Sequence, residues 1–154
     1  MKNDAAMLDI LDDLLKQALA KGADAADAVH IESQSLAVAQ RLGNPEKLER
    51  SESSDIGLRV FFGKRQSIVS SSDTSSEALK ELIDRAISMA KVVPEDPFCG
   101  LAETGQLVTN IVDVDSYDPS EPTTEALTDW ANRAEDAALA IPGITNSEGA
   151  EAGW

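Results

Sequence analysis

The side chains that could do chemistry are few and far apart. The chain has one histidine, His30, and one cysteine, Cys99, 69 positions further on. A zinc hydrolase draws at least three ligands from His, Cys, Asp and Glu in a fixed geometry. Neither a His-Glu-x-x-His nor a His-Glu-x-x-x-His run is present. His30 holds the polar parity of an alternating segment and reads as a surface residue. Cys99 sits in a proline-flanked loop with no neighbouring cation and no second cysteine, so it reads as a small, partly buried apolar residue, not a nucleophile. Asp113-Val114-Asp115 invites a calcium reading. The EF-hand pattern then requires Asp or Asn followed by Gly, and Tyr117 and Asp118 stand there instead. Gly57, Gly63, Ser53-Ser54 and Ser70-Ser71-Ser72 form no phosphate loop and read as turn and strand-end residues. No position is assigned a catalytic, cofactor-binding or metal-ligating role.

Charge says more than motif does. The 154 residues carry 28 acids and 13 bases, a net charge of −15. Residues 1–91 hold 15 acids and 12 bases, whereas residues 92–154 hold 13 acids and one base, Arg133. Nucleic-acid binding is driven by clustered Lys and Arg that displace counterions, so direct nucleic-acid contact is not expected. The acidic half reads as a solvated surface, with a basic protein partner as the alternative. A single cysteine permits no internal disulfide and fits a reducing compartment. The N-terminal segment lacks the apolar core of a signal peptide, and no run approaches the roughly 20 apolar residues of a membrane span. A cytoplasmic location with no membrane contact is the expectation.

Three amphipathic helices and a sheet must supply the scaffold. Met7, Leu8, Leu11, Leu14, Leu15 and Ala18 recur at helical spacing over about residues 4–21, with Asn3 or Asp4 as the cap and Gly22 as the stop. From Ala26 to Ser72 the period is two. Val29 and Ile31 point one way, then the parity switches to Leu36, Val38 and Gln40, which places a turn or bulge at Ser33-Gln34-Ser35. Gly43-Asn44-Pro45 reads as a turn, Lys47–Ser53 as a polar strand, and Leu58, Val60 and Phe62 as the buried side of another. Gly63-Lys64 is a two-residue hairpin loop leading to a strand over Ile68–Ser72. A second helix starts at Thr74 with Glu77 completing a capping box, buries Leu82 and Ile83, and stops before Pro94.

The expected fold class is α+β: an antiparallel sheet of four to five strands covered by two amphipathic helices, followed by a linker and an incomplete helix–strand unit. Residues 1–93 form the N-terminal α+β domain. Residues 94–122 are a proline- and acid-rich linker or ordered loop, with a short strand over Gln106–Val114. Residues 123–154 begin a second domain: a helix from Pro122 to Ala140 with Leu127, Trp130, Ala131, Ala134 and Ala138 on one face, then a strand from Ile144. That strand lacks a hairpin partner, so the chain is expected to be a fragment or to need a partner at its end.

Several of these segments resemble the TldD/PmbA family. They are Arg41-Leu-Gly-Asn-Pro-Glu-Lys-Leu-Glu-Arg50, Gly57-Leu-Arg-Val-Phe-Phe-Gly-Lys-Arg-Gln66, Ser71-Ser-Asp-Thr-Ser-Ser-Glu-Ala-Leu79 and Pro94-Glu-Asp-Pro97. Tyr117-Asp-Pro119 and Ile144-Thr-Asn-Ser-Glu-Gly149 resemble the opening of that family's central domain. The likeness covers about Leu8 to Trp154, rests on the order and spacing of the segments, and is closer to the PmbA (TldE) branch than to the TldD branch. It implies the N-terminal domain plus the start of the central domain of a non-catalytic PmbA/TldE-type subunit. The implied assembly is a cytoplasmic zinc metallopeptidase, a heterodimer with a TldD-type subunit, that processes unfolded peptides. The resemblance implies zinc in the partner subunit and no cofactor in this chain, and it carries no catalytic role to any position here. A historical family label is modulator of DNA gyrase. The alternative from composition is a stand-alone acidic binding module for a basic protein partner.

Overall fold

In a computed structural model the described residues are 2–154, with side chains from residue 5 onward. Helix α1 spans Lys2–Ala20 and strand β1 Ala25–Arg41. Strands β2, Asn44–Phe62, and β3, Arg65–Ser71, follow. Helix α2 is Ser76–Val92, helix α3 Thr124–Leu139 and strand β4 Ala150–Gly153. The strands form one four-stranded sheet in the order β3-β2-β1-β4. The fold class is α+β with an antiparallel sheet, as expected. Among the described residues no helix is long and apolar enough to cross a membrane.

Two compact units emerge, and they cut across the expected ranges 1–93, 94–122 and 123–154. One holds Met1–Glu32 with Ser53–Ile111, and the other Ser33–Glu52 with Val112–Trp154. The division follows from two long strands: β1 and β2 each run on far enough to serve one unit with one half and the second unit with the other.

In the first unit α1 and α2 bury their apolar stripes on the sheet. Leu14 and Ala18 of α1 and Leu82, Ile83, Ala86, Ile87 and Ala90 of α2 pack with Ile56, Leu58, Val60 and Val69. Leu11 and Leu15 pack against the edge of this core, while Leu8 is exposed. Burial of this kind supplies most of the stability of such helices, since isolated helices of this length are marginal in water. The helix start lies at Lys2, ahead of the expected cap; the side chains of Asn3 and Asp4 lie outside the described residues. At the other end Ala23 N–H donates to the Ala18 carbonyl and Gly22 N–H to that of Leu19, a Schellman closure. Helix α2 is capped by Ser75, not Thr74: Ser75 Oγ accepts from the Ala78 N–H at 3.3 Å. Its middle is tied to β3 by the buried Ser67 hydroxyl, which donates to the Ala86 carbonyl at 2.6 Å.

The expected break at Ser33-Gln34-Ser35 does not occur, and β1 runs through it. Ala26 and Ala28 face the core of the first unit and Leu36, Val38 and Gln40 are buried in the second, so even-numbered positions point inward in both halves. Val29 and Ile31 are the exposed ones. Side-chain size suggests a parity switch, but in this half the positions packed on the core are the small Ala26 and Ala28. The polar run Lys47–Ser53 is likewise no separate strand; it is the middle of β2. The turn lies one residue earlier than expected, at Leu42-Gly43, where φ is +48° and +72°. Positive φ at both central residues is the type I′ geometry that matches strand twist, and it is strained for leucine. β2 and β3 are joined at Gly63-Lys64 as expected, with Phe62 opposite Arg65.

In the second unit Leu127 of α3 packs on Leu36 and Val38 of β1, with Ala152 of β4 beside them. The final strand is shorter than expected, and it is paired. Ala37 lies opposite Gly153 and Gln40 opposite Ala150, and Leu36 and Trp154 exchange backbone hydrogen bonds of 2.9 Å each. This overturns the unpartnered-strand reading: the edge of β1, not a following hairpin, satisfies the terminal backbone. The strand expected over Gln106–Val114 is also absent. Thr104–Gln106 makes a single 3-10 turn, and residues 111–123 are outside any helix or strand.

Candidate functional site

The residues whose types could serve a metal or a nucleophile, none of them assigned such a role from sequence, are engaged in structural contacts. His30 is half-buried: its side chain is 13% exposed, and Nε2 lies 2.8 Å from Ser54 Oγ and 4.0 Å from Glu32. It sits inward because it shares the parity of Ala26 and Ala28. Cys99 is buried, and its carbonyl accepts from Lys64 Nζ at 3.3 Å. Asp113 and Asp115 are exposed, and Asp113 Oδ1 is occupied by the Asp115 N–H in an Asx turn. Among the described residues no group of three or more His, Cys, Asp or Glu converges as metal ligands do. The described residues therefore do not fit a zinc centre, and no step through a metal is assigned to them.

Two clusters join segments that are remote in sequence. In the first unit the Pro94–Pro97 stretch is docked on the β2–β3 turn. Asp96 N–H donates to the Lys64 carbonyl at 2.7 Å, Arg65 Nη2 lies 3.3 Å from Glu95, and Asp96 Oδ1 accepts from the Phe98 N–H at 2.9 Å. The Gly63 N–H on the same turn donates to Asp24 at 2.6 Å. Arg59 forks onto Asp27 and lies 5.1 Å over the Phe61 ring, which holds both charges on the outer sheet face.

The second cluster centres on Glu135, and nothing in the sequence analysis singled it out. Helix α3 was expected to bury Leu127, Trp130, Ala131, Ala134 and Ala138; Leu127 and Ala131 are buried as expected, but Glu135 joins them, Ala134 and Ala138 are exposed and Trp130 is 51% exposed. Glu135 is 3% exposed, and its Oε2 accepts from the Gly43 N–H at 3.2 Å, at the tip of the β1–β2 hairpin. The Leu42 N–H first, then the Ser147 hydroxyl, hold Glu135 below its ordinary carboxylate value; burial opposes them, and Gly43 and Arg41 add to them. Arg41 Nε donates to the Ser147 carbonyl at 3.1 Å, and Gly149 N–H donates to Ser147 Oγ at 2.8 Å. At Gly149, with φ of +104°, an added Cβ would stand 2.8 Å from the Gln40 carbonyl oxygen. The buried acid thus joins α3 to the hairpin tip through Oε2, with Oε1 left unpartnered, and Arg41 ties the turn before β4 to the same place. The only hint in the sequence is that Glu135 continues the four-residue row Leu127, Ala131; a carboxylate on that row reads as solvated until the hairpin is folded against it.

This arrangement binds backbone to backbone; it holds no nucleophile, base pair of acids or oxyanion donor set. Comparison with known proteins gives it a context. Residues 26–90 match the family model described as PmbA/TldA metallopeptidase domain 1. The chain is 32% identical over 133 residues to the metalloprotease PmbA of Escherichia coli, covering 85% of this chain and 30% of that protein. It is 29% identical over 157 residues to a PmbA homolog of Haemophilus influenzae, covering 97% of this chain and 35% of the relative. The chain therefore spans about a third of the length of these curated relatives. Among solved structures, a candidate modulator of DNA gyrase from Bacteroides thetaiotaomicron superposes with a TM-score of 0.75 at 16% identity, over 94% of this chain and 33% of that one. TldE from Thermococcus kodakarensis superposes with a TM-score of 0.71 at 18% identity, over 94% of this chain and 32% of that one. At these identities the likeness is one of fold.

Proposed function

The chain belongs to the PmbA/TldD metallopeptidase family, and from that premise we propose that it is the N-terminal part of a non-catalytic PmbA (TldE)-type subunit. In this reading it works beside a TldD-type subunit that carries the zinc, in a cytoplasmic complex that processes unfolded peptides. The observation that carries the non-catalytic role is the engagement of the chain's only histidine and cysteine. His30 is bonded to Ser54, and Cys99 is buried under the loop held by Lys64. A tetrahedral zinc needs donors converging at about 2.0–2.3 Å, and neither residue is free to join such a set. The contribution of this region is architectural: the Glu135 and Asp96 clusters set the shape presented to the rest of the assembly. The net charge of −15 opposes direct contact with nucleic acid.

Metal analysis tests the reading. The purified chain, dialysed after zinc loading, is expected to bind zinc no tighter than roughly micromolar and to show no chelator-sensitive cleavage of casein. Mixed with a TldD-type subunit it is expected to co-elute with it. Stoichiometric zinc retained through dialysis would sink the non-catalytic reading.

A further inference from the structure

We draw no further inference here: the strongest candidate, the buried Oε1 of Glu135 on the inward face of α3 in the second unit, which meets no hydrogen-bond donor among the described residues, belongs to the cluster already described, and nothing in the structure shows what small donor or cation it would take.

Discussion

Leu127→Ala tests whether the second unit has a core of its own. Leu127 is fully buried, and its buried apolar neighbours are Leu36 and Val38, with Ala152 packed beside them. The change removes three carbon groups, about 2.4 kcal/mol at about 0.8 kcal/mol per buried methylene. The cavity adds to this, and large-to-small changes of this type reach about 2.7–5.0 kcal/mol. One wall of the site is Ala152 on a four-residue strand, which can move inward, so a loss of about 3 kcal/mol is expected. Urea unfolding gives the total. Amide exchange gives the location: residues 150–154, held to β1, should exchange faster, while residues 82–90 of α2 keep their protection in native buffer. A loss under about 1 kcal/mol would mean that Leu127 anchors nothing. Equal loss of protection in α2 would refute the division into two cores.

Acid should loosen the second unit through Glu135. Its carboxyl is held below its unfolded value, so the stabilisation is complete above the ordinary carboxylate range and is lost as pH falls through the folded value. Exchange at residues 150–154 should therefore rise on acidification in the unmodified chain and rise less in Glu135→Gln; parallel pH profiles would contradict this role. Gly149→Ala should cost roughly 1–3 kcal/mol from positive φ and the clash with the Gln40 carbonyl. Urea midpoints measure it, and a neutral result would mean that the close approach of this turn to β1 is not maintained.

Much of the fold was legible because it rests on local rules. The stripes of α1 and α2, the Gly22 stop, the Gly63-Lys64 loop and the α+β class follow from periodicity and turn chemistry, which depend only on neighbours along the chain. What sequence could not settle were matters of pairing and facing. The parity of β1 depends on which side α1 and α2 cover, and there the inward positions are the small Ala26 and Ala28, which side-chain size alone does not mark as core. The run at 107–114 has strand composition but no strand beside it, and a strand is a property of two chains, not one. The terminal strand found its partner in β1, more than a hundred residues back. Glu135 shows the same limit in a single side chain. Its charge marks it as solvated by type, and only the folded hairpin supplies the Gly43 N–H that Oε2 accepts from, while Oε1 is left without a hydrogen-bond partner.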